Sequence, residues 1–266
     1  MLERNTDKDW KRYGSEDPYY GVVSDEKYRK ENLTPEAVRE FFRTGEEHAD
    51  YVMGQIRRHQ APDFAPRRIL DFGCGVGRCA IPFARHGESV LGLDVSEAMI
   101  EEARRNAETL GVGNATFAVS DNTLSAAQGP FDLIHSFIVF QHIPARKGEE
   151  LVRRLIGLLS EDGVAVLHFL YHSELSRVQA ALRWLRKRVA PLHWAANIAY
   201  GKPWRFPLME KNAYSLNRLF LLLRRAGCGE TMVRFEGLGT MHGAVLFFRK
   251  KPDRIPYNES EGNQAD

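Results

Sequence analysis

The chain has 266 residues, 43% of them apolar, and a formal net charge of +2, enough for one large α/β domain with an elaboration or for two small ones. That near-neutral charge offers no global argument for a nucleic-acid partner, and Cys74, Cys79 and Cys228 form no C-x-x-C pair, which excludes a disulfide framework and suggests reduced thiols in a cytoplasmic protein. No apolar run approaches the roughly 18 residues of a membrane span, and the polar start through Arg12 is unlike a signal peptide.

Residues 1–33 are polar but carry Trp10, Tyr13, Tyr19 and Tyr20. A solvated tail does not normally hold so many aromatics, so this segment is expected to pack on something. Thr34 before Pro35 reads as a helix start, and Thr44-Gly45-Glu46-Glu47 as a second, a capping box. The spacing therefore predicts helices over about 35–43 and 45–59, broken by Pro62 and Pro66.

From Arg68 the pattern alternates strand and helix, as a doubly wound sheet requires. Strand Ile69–Phe72 runs into a turn with Gly73, Gly75 and Gly77, then a helix from about Val76 to His86 that Pro82 should delay or kink. Strand 89–93 ends at Asp94, and Ser96 caps a helix with Met99, Ala103, Ala107 and Leu110 on one stripe. Strand 115–119 ends at Ser120-Asp121-Asn122; strand 131–137 and a helix from about Lys147 to Leu159 follow, then a turn over 160–163 and a strand over 164–170. A helix over 215–226 and strands at about 230–235 and 243–249 complete the pattern.

The spacing Asp71-x-Gly73-x-Gly75-x-Gly77 places Arg78 where a dinucleotide site wants its third glycine. With Asp94 and Asp121 at the ends of the next two strands, it resembles motif I and the following acids of the class I methyltransferases that use S-adenosylmethionine. Open parallel sheets bind ligands at such carboxyl ends. The resemblance implies a mostly parallel seven-stranded sheet with an antiparallel C-terminal hairpin. It further implies that Asp71, Gly73 and Gly75, with Phe72 and Cys74 of the same turn, meet the methionine end of the cofactor. Asp94 would take the ribose, Val95 and Met99 the adenine face, Asp121 and Asn122 the adenine edge, and Ser136, Phe137 and Gln141 would pass under the sulfonium and amino group. In such proteins the N-terminal segment often closes over the cofactor, so 1–66 is read as a lid with helices, plain packing on the core being the alternative.

The resemblance further implies a methyltransferase domain over 67–252 with a helical cap inserted at 171–213, and the polar composition of 253–266 predicts a disordered tail. Residues 173–190 read as a helix with Leu175, Val178, Leu182, Leu185 and Val189 on one side and five basic residues elsewhere; Trp184, Trp194, Tyr200, Trp204 and Phe206 lie in or after it. Such a segment, 173–206, is either a cap with a solvated basic face or a peripheral contact with an acidic substrate or an anionic membrane.

Activated methyl transfer asks mainly for orientation and exclusion of water, with a base only for a hydroxyl or protonated amine. His142, in the loop after the fourth strand, is the leading base, against a loop histidine that caps the next helix; His135 alternates to the other face, and His172, His242, Tyr19 and Tyr20 remain contributors. Metal ligation has no support, because the pair His168 and His172 lacks a third ligand. The acceptor expected is a small molecule, a sugar or a lipid-linked intermediate. Base-amino methyltransferases carry a Pro-Pro-aromatic motif where this chain has His-Ser-Phe-Ile, which disfavours nucleic acid. The rivals are a cofactor-binding protein without catalysis and a nicotinamide-dependent dehydrogenase.

Overall fold

A computed structural model describes residues 6–174, 182, 185–186, 189–199, 204 and 209–250. Seven strands, β1 (Arg68–Phe72), β2 (Ser89–Asp94), β3 (Ala115–Val119), β4 (Phe131–Ser136), β5 (Leu159–Ser173), β6 (Glu230–Leu238) and β7 (Met241–Arg249), form one sheet in the order β3-β2-β1-β4-β5-β7-β6. β1 to β5 pair in parallel, and β7 runs antiparallel to both β5 and β6. The expected doubly wound sheet with its antiparallel hairpin is present.

Both faces of the sheet are apolar, as strands covered on two sides must be. Adjacent residues serve opposite layers: Ile69, Leu133, Val166 and Phe247 belong to one buried cluster, and Leu70, Ile134, Leu167 and Phe248 to the other. The first layer is covered by α3 (Pro35–His59), α4 (Ala80–Phe83) and α5 (Glu97–Thr109); the second by α6 (Ala145–Gly157) and, after α7 (Ala190–Ala199), by α8 (Leu216–Arg225). The chain before them makes α1 (Asp7–Glu16) and α2 (Pro18–Val22), which lean on α5. There the Tyr19 hydroxyl sits 2.8 Å from Asn106 Oδ1 and 2.9 Å from Glu102 Oε1.

Several elements depart from the sequence reading. The two helices expected around Thr44 are one helix of 25 residues. Thr44 does not cap a new helix; its hydroxyl donates back to the carbonyl of Phe41 at 2.7 Å, and Gly45 lets α3 press on the glycine turn, since a Cβ there would lie 1.8 Å from the carbonyl oxygen of Arg78. The helix expected from Val76 begins only at Ala80 and lasts four residues, Pro82 inside it. Leu110, assigned to the apolar stripe of α5, is exposed at its end. The fifth strand does not start after a turn at 160–163 but at Leu159, with a register shift opposite Phe131 and Leu133 and a left-handed Asp162 (φ 61°) absorbing the irregularity. It also runs on to Ser173, into the segment read as the start of a helix. Most of that expected helix, residues 175–181, 183–184 and 187–188, and the tail at 253–266 lie outside the described residues.

Candidate active site

The carboxyl ends of β1, β2, β4 and β5 open on a cavity of about 470 Å³. Its floor is the glycine turn. Gly73, Gly75 and Gly77 all adopt left-handed angles, φ 77°, 54° and 89°, which a side chain would resist. The turn is pinned to the next strand by the amides of Gly73 and Cys74, both donating to the carbonyl of Leu93 at 2.7 and 2.9 Å. It is also closely covered: a Cβ on Gly73 would come within 2.3 Å of Val139, and one on Gly75 within 2.4 Å of Val22.

Asp94 closes the far side of the turn. Its carboxylate accepts from the amide of Gly75 at 3.1 Å and of Ser96 at 2.9 Å. Burial nevertheless dominates and pushes its pKa up to about 6, the backbone donors opposing that shift. Asp121 also lines the cavity, yet both its oxygens are engaged by its own loop, accepting from the amides and hydroxyls of Thr123 and Ser125. Those bonds hold its pKa far below the ordinary carboxylate range.

Of the residues expected around a cofactor, Phe72, Gly73, Gly75, Asp94, Val95, Met99, Asp121, Asn122, Phe137 and Gln141 line this cavity. Asp71, Cys74 and Ser136 do not, and each has a physical reason. Asp71 is the direct cross-strand partner of His135 and turns toward the α3 layer, where its Oδ1 lies 2.7 Å from His135 Nδ1. The other nitrogen of His135 lies 2.9 Å from His48 Nε2 on α3, so a buried carboxylate and two imidazoles stand behind the turn. Desolvation, aided by the neighbouring positive charge, drives the His48 pKa down to about 2. Cys74 Sγ tucks over Gly92, 2.9 Å from where a Cβ would be, and the Ser136 hydroxyl donates to the carbonyl of Phe72 at 2.8 Å.

His142 lies in a short turn after β4, buried, with Trp10 edge-on at 4.7 Å. It caps no helix, since Pro144 precedes α6. Its Nδ1 sits 2.6 Å from the carbonyl of Glu210, which assigns the proton to Nδ1, and its Nε2 is 3.0 Å from the Gln141 amide nitrogen. Tyr19, Tyr20, His172 and His242 do not line the cavity: Tyr20 lies under the Arg29 guanidinium, and His242 pairs with Glu174 at 2.8 Å.

Among the lining residues that escaped the sequence reading are Arg78 and His168. Arg78, seen there only as a missing glycine, reaches the cavity with its Nε buried and without a hydrogen-bond partner among the described residues. His168 lies on β5 two residues before Leu170, so period-two alternation could have placed both at the cavity. Its Nδ1 is buried and unpartnered, and burial lowers its pKa to about 4. The rest of the wall is mostly apolar, with Ile143, Leu151, Leu170, Met209 and Met241; at its edge Lys147 is held 3.2 Å from Asp7. No cluster of three metal-ligating side chains occurs among the described residues.

Residues 69–163 match a family described as a methyltransferase domain. A 23S rRNA (uracil(1939)-C(5))-methyltransferase of Shewanella halifaxensis is 30% identical over 44% of this chain and 25% of its own length. A ubiquinone biosynthesis O-methyltransferase of Roseobacter denitrificans is 33% identical over 52% of this chain and 60% of its own. The chain thus spans less than two thirds of either relative. The crystal structure of a magnesium protoporphyrin IX methyltransferase from Synechocystis PCC 6803, with bound S-adenosylmethionine, superposes with a TM-score of 0.59 at 18% identity, over 94% of this chain and all of that one. With a methyltransferase-domain match at 69–163 and the seven-stranded sheet built around it, the chain has the fold of the class I S-adenosylmethionine-dependent methyltransferases.

Proposed function

We propose that the cavity binds S-adenosylmethionine and that the chain transfers a methyl group by direct displacement to an oxygen of a small, largely apolar acceptor, sugar- and lipid-linked molecules included. The observation that carries this reading is that the left-handed glycine turn, Asp94 and His142 all face one continuous cavity. A cofactor on the turn and an acceptor beside His142 would therefore be in contact.

The residues present suit the cofactor. The orphaned Nε of Arg78 offers a donor for the α-carboxylate of the amino-acid end at the glycine turn. Asp94 would accept from the ribose hydroxyls, Val95 and Met99 would flank the adenine, and Asn122 would read its edge, with Asp121 shaping the loop that presents it. Phe137 and Gln141 would lie along the sulfonium and amino group. Asp71, Cys74 and Ser136 act from behind, holding the turn and the end of β4 in place. Once bound, the cofactor supplies a methyl on a positively charged sulfur, already activated.

What the chain must add is orientation, which can supply about 7–11 kcal/mol of barrier reduction. His142 then serves as base for a hydroxyl acceptor: with Nδ1 donating to Glu210, the lone pair for the incoming proton sits on Nε2, where the acceptor hydroxyl would replace the amide of Gln141 as donor. Helices α1 and α2 contribute Asp7, Trp10, Gly21 and Val22 to the wall and exclude water. The apolar acceptor side favours a small molecule over an RNA base presented from a large polar surface. The three buried, unpaired thiols accord with a reducing, cytoplasmic setting.

Calorimetry with S-adenosylmethionine, followed by transfer of labelled methyl to a cell extract and mass identification of the product, tests the reading. Binding without transfer to any component leaves a cofactor-binding protein; absence of heat on mixing overturns the cofactor site itself.

A further inference from the structure

Leu170 and Met209, the residues on either side of the stretch 171–208, both line the cavity wall. What lies between them differs in charge from everything else. From Ser173 to Phe206 the sequence has Arg177, Arg183, Arg186, Lys187, Arg188, Lys202 and Arg205 against a single acid, Glu174, a net charge of +6 in a chain whose total is +2. The remaining residues are therefore net acidic, so the positive charge is concentrated in one stretch of the sequence.

The same stretch shows apolar side chains to solvent. Among the described residues Leu182, Leu185, Val189, Leu192, Trp194, Ile198 and Trp204 are all exposed, Ile198 at 64%. On α7, Trp194 and Ile198 are four apart and share a face. Trp204 is brought to that face as well: its ring stands edge-on to Trp194 at 5.1 Å, and its carbonyl accepts from Asn197 Nδ2 at 3.1 Å. Isolated exposed leucines need no explanation, but a contiguous group with two tryptophans does.

We infer that the exposed face of α7 with Trp204 docks on an anionic lipid bilayer, and that the methyl acceptor is an amphiphile drawn from that surface. Aliphatic side chains enter the acyl boundary, tryptophans rest at the headgroup level, and the clustered cations pair with anionic headgroups. An RNA partner would use the same positive charge but has no use for exposed Leu192 and Ile198, because bases stack on aromatic and guanidinium planes. The docked face belongs to the stretch whose two flanking residues, Leu170 and Met209, line the cavity wall, which ties the docked surface to the acceptor side. The acceptor half of the inference rests on the methyl-transfer reading above; the docking half does not.

The test is co-sedimentation of the full chain with phosphatidylcholine vesicles and with mixed phosphatidylcholine–phosphatidylglycerol vesicles, beside filter binding to transfer RNA. Expected are binding to the mixed vesicles only, weakening with added salt, and a blue shift of tryptophan emission. The W194S/I198S variant should bind those vesicles at least tenfold more weakly, a loss of about 1.4 kcal/mol or more of apolar insertion, with an unchanged melting temperature. R183E/K187E/R188E should abolish the salt-sensitive part. Absence of binding to the mixed vesicles, or W194S/I198S binding them like wild type, overturns the docking. Binding of RNA but not of vesicles overturns it too and assigns the charge to nucleic acid. A chain that binds vesicles but gives no heat with S-adenosylmethionine keeps the docking and loses the proposed function.

Discussion

His142 Nδ1 lies 2.6 Å from the main-chain carbonyl oxygen of Glu210, 68 residues further along the chain. A side chain from the end of β4 is thereby oriented by the segment that re-enters the fold before α8. The arrangement fixes the tautomer: Nδ1 carries the proton, and Nε2 keeps its lone pair, facing the amide of Gln141 at 3.0 Å. Replacing His142 with Gln keeps a donor for Glu210 but removes the base. For a hydroxyl acceptor kcat should then fall about 10²- to 10³-fold with the KM for S-adenosylmethionine nearly unchanged. Steady-state kinetics on the acceptor identified from extract checks this; an equal fall in cofactor affinity would show His142 to be structural.

Asp94 gives the cofactor site a pH dependence. A carboxylate can accept from two ribose hydroxyls, whereas the acid cannot accept with both oxygens, and here half-protonation falls at about pH 6. Affinity for S-adenosylmethionine measured by calorimetry should be flat above neutrality and decline below that point, approaching about tenfold per pH unit. In Asp94→Asn the affinity should be lower throughout and the acid dependence absent.

Stability should fall on acidification for a different reason. His48 and His168 are held neutral by burial, with pKa values lowered to about 2 and about 4 from the ordinary 6.5. Between pH 6.5 and 4 the unfolded chain takes up a proton at each that the folded chain refuses, so folding is favoured at higher pH and loses ground as pH drops. Asp94 works the other way, being protonated in the folded state up to about pH 6 while the unfolded carboxyl has already ionised above 3.8. From these three groups about one proton, or roughly 1.4 kcal/mol per pH unit, should remain between pH 6 and 4. His168→Leu removes one contributor, and the buried Nδ1 it deletes has no hydrogen-bond partner among the described residues. Melting temperatures across this range should change less in that variant than in wild type.

Two glycines of α3 should respond to alanine with opposite signs. Gly54 has nothing within 4 Å of an added Cβ, so Gly54→Ala gains helix propensity, about 0.5–1 kcal/mol. Gly45 faces the carbonyl of Arg78 at 1.8 Å from such an atom, so Gly45→Ala must push α3 off the glycine turn and costs about 1–3 kcal/mol or more. Denaturant titrations of the two variants give the comparison directly.

Most of the sheet was legible in the residues because parallel strands covered on two sides must be apolar and short, and their ends carry punctuation: Gly73, Asp94, Gly129-Pro130 and Gly227 all fall at boundaries. Failures came where tertiary contact overrode local preference. Thr44-Gly45 has the composition of a break, yet the glycine serves a helix crossing and not a turn. Asp71 reads as a ligand-facing acid beside a glycine loop, but its neighbour on β4 is a histidine, and that register is not written in either strand alone. Arg78 was passed over because motif spacing asks what is missing at a position more readily than what the residue there can do. The antiparallel sense of β7 came from resemblance, since period-two patterning carries no direction.

Arg78 lines the cavity and also grips α3: its backbone oxygen abuts Gly45, and its guanidinium donates to the Thr44 hydroxyl at 3.5 Å. Any anion that captures the guanidinium therefore tightens a joint on the outer layer of the molecule. Deuterium uptake by the amides around residues 42–48 should slow when the pocket fills, so that a helix contributing no lining residue of its own becomes the gauge of occupancy.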